Sequence, residues 1–206
     1  MKPSENRAER NKERILRAAL ELFQVHGIKK TTTNDVSQKA GVSPATVYNH
    51  FGSKEELVRA AVKYFLSITM EDFRKIFEGA LSFPEKLWQI ISYKSDMMGQ
   101  YQGDFMKMVI SEDPEILNYV NSVYMTEIMP MVTDFYDEGK RQGYINPELS
   151  TETIMLYFDV MRKGMSSSGL SDNPDQNLKM LQEMTSLFLY GLMGRPEDSR
   201  RRQGQE

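Results

Sequence analysis

The chain has no cysteine among its 206 residues, which excludes disulfides and thiolate metal sites. It has only two histidines, His26 and His50, in different local settings, so no ligand cluster is available and no metal or cofactor is expected. Serine–histidine–acid catalysis would have to use one of those two, and neither lies in the larger C-terminal part. A glycine-rich phosphate loop and the HExxH spacing of helical zinc enzymes are both missing. An enzyme is therefore not expected. No uninterrupted apolar run approaches the roughly 20 residues that span a bilayer. The opening MKPSENRAERNKER is charged and has no apolar signal core, so no membrane association is expected and the cytoplasm is the expected compartment.

What is present is ordinary in bulk and uneven in distribution. Hydrophobic residues make up 40% and charged residues 27%, as in typical globular domains. The net charge of −3 hides a basic front and an acidic remainder. Residues 1–63 contain 12 Lys/Arg against 7 Asp/Glu, and residues 64–206 contain 14 against 22. A basic N-terminal module on an acidic body fits a nucleic-acid contact made by the first part only.

The apolar spacing is helical throughout, and no stretch alternates as a strand would. A first helix is expected from about Ala8 to His26, with Ile15, Leu16, Ala19, Leu22 and Phe23 on one face and Gly27 ending it. Two short helices follow, then a long one from Ser53 to about Gly79. At 1.5 Å per residue its roughly 25 residues make a rod of nearly 40 Å, too long for a small N-terminal bundle alone. Further helices are expected near 84–101, 103–110, 114–142, 150–168 and 175–193, with Pro130 kinking the long one. The resulting expectation is an all-α chain of about nine helices. Its expected division is 1–55, 56–194 and a disordered charged tail, 195–206.

The segment from Thr32 to Leu57 carries the most information. Thr32 is placed to cap a helix, with Asp35 three residues on to complete a capping box. Val36 and Ala40 make a short apolar stripe, and Gly41 supplies a permissive C-terminus. Ser43 caps the next helix, and Pro44 occupies its first turn, where a missing N–H costs nothing. Val47 and Phe51 point inward. Thr46, Tyr48, Asn49 and His50 are left outside, a face suited to phosphates and base edges in a major groove. Ser53 and Glu56 read as another capping box.

This run resembles the helix-turn-helix of the TetR family of transcriptional regulators, whose signature ends in a pattern like GVSxxTxYxHFxxKEEL. The matching residues are Gly41, Val42, Ser43, Thr46, Tyr48, His50, Phe51, Lys54, Glu55, Glu56 and Leu57. Upstream, Phe23, Gly27, Thr31, Thr32 and Asp35 agree as well. The resemblance covers about the first third of the chain and implies a three-helix DNA-binding module joined by a long fourth helix to a helical ligand-binding and dimerisation domain. It implies a phosphate contact for Thr33 and a base-edge contact for Asn34. Ser43, Pro44 and Ala45 would form the leading end of the recognition helix. Thr46, Tyr48, His50 and Lys54 would hold phosphates, and Asn49 would face the groove. Arg7, Arg10 and Lys12 are candidates for an arm toward DNA, with disorder before Ala8 as the alternative.

Fourteen of the fifteen methionines are internal, and all fourteen lie at or beyond Met70. Methionine is flexible and polarizable, and lines surfaces that adapt to apolar partners. One reading is a ligand pocket built from Trp88, Met97, Tyr101, Phe105, Met108, Tyr124, Met125, Met129, Phe158 and Met161, with Asp96, Asp104, Glu127 or Asp159 as polar anchors. The other is a methionine-rich core without a cavity. The family resemblance favours a small, hydrophobic effector. In the last two expected helices, Ile154, Met161, Leu181, Thr185, Phe188 and Leu192 could face a second subunit or pack within their own. The resemblance implies the homodimer.

Together these readings lead to a ligand-responsive transcriptional regulator. It would be a repressor more often than an activator, released from a palindromic double-stranded operator by a small hydrophobic molecule. The alternative is an apolar-ligand carrier or interaction protein that kept the helix-turn-helix without using it.

Overall fold

A computed structural model describes residues 3–101, 103–109 and 113–168, together with a few single positions beyond. Among the described residues there are helices and no strands, as the apolar spacing predicts. They are α1 (Pro3–Lys30), α2 (Thr33–Ala40), α3 (Pro44–Phe51), α4 (Lys54–Glu78), α5 (Phe83–Gln100), α6 (Gly103–Val109), α7 (Pro114–Val123), α8 (Met129–Arg141) and α9 (Thr151–Ser168). Only single positions of the helix expected near 175–193 are described, and the tail from 195 lies outside the described residues.

The helices fall into two packing units that interleave along the chain. The first comprises residues 1–70 and 100–121, the second 71–99 and 122–206. In the first unit α1 is interrupted at Gly27, whose φ of 76° and ψ of 168° are not helical. A left-handed φ strains any residue with a Cβ, so glycine is suited to this break. The core is formed by Ile15, Ala19 and Phe23 of α1, Val36 and Ala40 of α2, Val47 and Phe51 of α3, and Leu57, Ala61, Val62 and Phe65 of α4. α6 adds Phe105, which is fully buried. Its ring centroid lies 5.9 Å from that of Phe23 and 5.3 Å from that of Phe65. Such aromatic pairs are worth about 0.5–1.5 kcal/mol each beyond the area they bury.

Charged pairs fasten α7 to the side of α4. Arg59 Nε donates to Asp113 Oδ2 at 2.9 Å, and Lys63 pairs with Glu115. The Arg59 guanidinium holds the Asp113 carboxyl below the ordinary range.

The second unit has its own core of Phe83, Ile90, Val132, Phe135, Tyr136, Ile145, Ile154 and Met155. Phe83 stacks on Phe135 at 4.4 Å. Burial raises the Tyr136 phenol well above its ordinary range. Beside this core the buried Lys86 ammonium donates to Glu138 Oε2 at 3.0 Å. Pro130 acts differently from a simple kink. The five residues Tyr124–Ile128 form a single π turn, with the Met129 N–H donating to the Tyr124 carbonyl. Pro130 lacks an N–H, and its ring would crowd the carbonyl four residues back in a regular helix. A wider turn at this point relieves that conflict, and α8 starts at Met129.

Candidate nucleic-acid interface

The α2–turn–α3 segment is built by local interactions. Thr32 accepts from the Asp35 N–H at 3.1 Å, and Asp35 Oδ2 accepts from the Thr32 N–H at 2.8 Å, so the capping box is complete. The Thr32 hydroxyl and N–H together hold the Asp35 carboxyl below its ordinary range. At the other end of α2, Gly41 takes the left-handed conformation, φ 62° and ψ 41°. The Val42 N–H returns to the Ser37 carbonyl at 3.0 Å, closing the helix C-terminus. Ser43 then caps α3, its Oγ accepting from the Thr46 N–H at 3.1 Å, with Pro44 in the first turn. Both caps sit where the sequence puts them. At the start of α4, Ser53 Oγ accepts from the Glu56 N–H, while the Glu56 carboxylate pairs with Arg59.

With Val47 and Phe51 buried, the rest of α3 is turned outward. Tyr48 is 52% exposed, a large area for an aromatic ring held on a rigid helix. Ser43, Pro44, Ala45 and Asn49 are exposed, and Thr46, His50 and Lys54 are half-buried. From the start of α2, Asn34 is exposed and Thr33 is half-buried. The Thr33 hydroxyl stands 3.4 Å from the Tyr48 hydroxyl, so the first turn of α2 and the middle of α3 share one surface. That surface offers hydroxyls, amides, an imidazole and an ammonium, with Pro44 and Ala45 as its only apolar members. Donors of this kind suit phosphate oxygens, while a helix leading with small residues can approach base edges closely.

Two anchors of this module escaped sequence reasoning. Arg14 Nη2 donates to the Ala40 carbonyl at 2.6 Å, placing a cation at the α2 C-terminus, where the helix dipole is negative. Asp104 Oδ2 accepts from the Lys29 N–H at 3.1 Å, tying α6 to the broken end of α1. Neither has a local signal, since the partners stand 26 and 75 residues apart.

The residues read as a ligand pocket fall in both packing units. Tyr101, Phe105 and Met108 belong to the first unit, and Trp88, Met97, Tyr124, Met125 and Met129 to the second. Phe105 is spent in the first unit's core, where Tyr101 stacks on it at 4.8 Å. Trp88 and Met125 are exposed, at 68% and 64%. Tyr124 is buried, while Met97, Met108, Met129 and Met161 are half-buried. The side chain of Phe158 lies outside the described residues. Of the polar anchors considered, Glu127 pairs with Arg74 at 2.7 Å and Asp159 with Lys163 at 2.6 Å.

One interface expectation is corrected. Ile154 is 2% exposed and belongs to the second unit's own core, so it does not await a partner subunit. The helix phase explains this, because the outward face of α9 is carried by Leu156, Tyr157 and Val160. Leu181, Thr185, Phe188 and Leu192 lie outside the described residues.

A capped helix-turn-helix that presents a polar α3 is the reading head of a DNA-binding protein. Residues 15–61 match the family model described as bacterial regulatory proteins, tetR family. The chain is 26% identical over 153 residues to the HTH-type transcriptional repressor KstR2 of Mycolicibacterium smegmatis, covering 71% of this chain and 73% of that one. It is likewise 26% identical over 157 residues to the HTH-type transcriptional regulator UidR of Escherichia coli, covering 74% and 79%. Among solved structures, a TetR transcription regulator from Haloarcula marismortui shares the fold with a TM-score of 0.66 at 14% identity, over 89% of this chain and 98% of that one. The regulator FadR from Bacillus subtilis, solved in complex with stearoyl-CoA, shares it with a TM-score of 0.58 at 18% identity, over 88% and 97%. Residues 15–61 thus match the DNA-binding module of the tetR family of bacterial regulatory proteins, and over 71–74% of its length the chain is similar to HTH-type transcriptional regulators.

Proposed function

We propose that this regulator is a cytoplasmic homodimeric repressor that leaves a palindromic operator when a small hydrophobic molecule binds its second unit. The observation that carries the DNA half is the outward face of α3, where Tyr48, Asn49 and the leading residues Ser43, Pro44 and Ala45 are exposed. Each subunit would lay α3 in a major groove, with Thr33, Thr46, Tyr48, His50 and Lys54 on phosphates and Asn34 and Asn49 toward base edges. Two such heads in a dimer require half-sites about 34–36 Å apart on one face of the duplex.

Support for the dimer comes from α9, whose residues Leu156, Tyr157 and Val160 are exposed apolar neighbours at helical spacing. Support for the hydrophobic effector comes from the half-buried methionines Met97, Met129, Met131 and Met161, which can repack around varied apolar shapes. The stearoyl chain of the stearoyl-CoA in complex with the similarly folded FadR of Bacillus subtilis is an apolar group of that kind. Effector and DNA would be coupled through a two-state change, and the effector acts only by its preference for the state that releases DNA.

Gel-shift titration over a salt series tests the first half. Affinity should fall steeply with salt, and Lys54→Ala should make the slope shallower by about one. Thermal-shift screening with fatty acyl-CoAs against small cations such as choline tests the second. A true effector at a 100-fold excess over its dissociation constant adds about 2.7 kcal/mol and should release DNA in the same titration. A chain that retains DNA under every stabilising compound would lose the repressor-release reading and keep the DNA-binding one.

A further inference from the structure

A break inside a helix exposes backbone donors, because the residues just after it have no helical carbonyl four positions back. α1 breaks at Gly27, and residues 28–30 form one turn before α2 begins at Thr33. Buried Thr31 closes that turn. Its hydroxyl donates to the Gly27 carbonyl at 2.8 Å and its N–H to the Ile28 carbonyl at 3.3 Å. The Lys29 N–H donates outside the turn, to Asp104 Oδ2 of α6 at 3.1 Å.

α6 is pinned where it delivers this carboxylate. Phe105, the next residue, is fully buried, and its ring centroid lies 5.9 Å from that of Phe23 on α1. Stability alone is a poor account of a carboxylate here. Oδ1 is buried and accepts no hydrogen bond among the described residues, a cost that a shorter hydroxyl would avoid. The two oxygens instead flank residue 27, where a Cβ would stand 2.8 Å from Oδ1 and 3.0 Å from Oδ2. Asp104 thus holds the chain at residues 27 and 29, which fixes the direction in which it leaves the break. Thr32, three residues after Lys29, caps α2, and Thr33 and Asn34 follow at once. The Thr33 hydroxyl stands 3.4 Å from the Tyr48 hydroxyl of α3.

We propose that Asp104 is a positioning residue for DNA recognition. From α6 it sets the direction of the turn after Gly27, and with it the placement of Thr33 and Asn34 beside α3. The proposal rests on the reading of α2 and α3 as the DNA-contacting surface. Asp104 acts through the backbone of the turn and need not meet the duplex. A small displacement of the first turn of α2 would misalign Asn34 with a base edge. Phosphate contacts, which act through charge and carry no sequence information, would tolerate it better.

The test uses full-length protein, a duplex selected from a randomised library, and a random duplex of equal length. Affinities are compared well below the melting midpoint of each variant. Asp104→Ala and Asp104→Leu both remove the acceptor for Lys29, the second without leaving a hole. Each should weaken binding to the selected duplex by about tenfold, the scale of one lost base contact. Affinity for the random duplex should stay nearly unchanged. Asp104→Asn removes the same charge but keeps a carbonyl oxygen for the Lys29 N–H, and should bind both duplexes like the parent. Hydrogen exchange at the Lys29 amide should quicken in the Ala and Leu variants and not in the Asn variant. Ile116→Val, at a fully buried position on α7, should lower the melting midpoint and keep full selectivity.

Equal losses in Asp104→Asn and Asp104→Ala would mean that charge alone is acting and would overturn the proposal. So would a loss of selectivity in Ile116→Val, because general loosening would then explain the Asp104 variants. Parental selectivity in Asp104→Ala and Asp104→Leu, with Tyr48→Ala weakened, overturns the proposal and keeps the reading of α3. Parental binding in Tyr48→Ala as well overturns that reading too.

Discussion

The carboxylate of Asp104 on α6 fills the space beside Gly27 in α1, so that a Cβ at residue 27 would stand 2.8 Å from Oδ1 and 3.0 Å from Oδ2. The same carboxylate accepts the Lys29 N–H at 3.1 Å, a donor in the short turn that follows the break at Gly27. The two residues answer each other. Glycine opens the helix at a left-handed φ, and Asp104 meets the backbone exposed by that opening.

Gly27→Ala should therefore destabilise the protein by about 1–3 kcal/mol, combining strain at positive φ with the clash against Asp104. Denaturant midpoints would measure it. Asp104→Ser in the Gly27→Ala background should recover part of the loss, because it clears the clashing atoms. Full additivity of the two substitutions would separate the residues energetically.

Tyr48→Ala should weaken DNA binding without moving the melting midpoint, because the ring is 52% exposed. Its 3.4 Å approach to the Thr33 hydroxyl is too long to matter much for stability. A fall of several kcal/mol, the scale of a core truncation, would make Tyr48 part of the core instead.

Acid should weaken the α2 cap in a defined direction. The Thr32 hydroxyl and N–H lower the Asp35 pKa in the folded chain. Its contribution is therefore present above the unfolded value of about 3.9 and is lost as pH falls through the lower folded value. Asp35→Asn should be less stable than the parent at neutral pH and converge with it in strong acid. Urea melts across that range give the comparison, and a gap that widens in acid would contradict the sign.

The Lys86–Glu138 pair should respond unequally to its two deletions. Lys86 is buried and Glu138 is partly open. Glu138→Ala strands a buried ammonium and should cost about 2–3 kcal/mol, somewhat below the usual range for a fully buried pair. Lys86→Met replaces the ammonium with an apolar chain of similar length and should cost far less. Equal costs would mean that the ion pair is not what keeps Lys86 inside.

Substitutions on α9 should divide by face. Val160→Glu, at a position 59% exposed, should leave the subunit folded and turn the proposed dimer into monomer by light scattering. Ile154→Glu, at a position 2% exposed, should unfold the subunit itself. A Val160→Glu dimer of unchanged strength would put the interface on another surface.

The sequence by itself determined the elements whose energetics are local. Thr32 and Asp35 cap α2, Gly41 ends it, Ser43 and Pro44 start α3, and Val47 and Phe51 leave Tyr48 and Asn49 outside. Each of these interactions spans only a few residues, so backbone preference and hydrogen-bonding capacity at neighbouring positions were enough to specify them. Helical spacing likewise located α5, α6 and α9 nearly to the residue. Tertiary structure alone decided what each apolar face packs against. Phe105 and Ile154 both look like residues awaiting a ligand or a partner, yet one closes the core beside Phe23 and Phe65 and the other lies beside Phe135 and Tyr136 in the second core. Trp88, which composition would send inward, stands in solvent. Periodicity reports which side of a helix seeks burial, but every amphipathic helix seeks it equally. The choice of neighbour rests on contacts such as Asp104 with Lys29 and Arg59 with Asp113, between residues 75 and 54 positions apart. Only the folded packing brings those pairs into range.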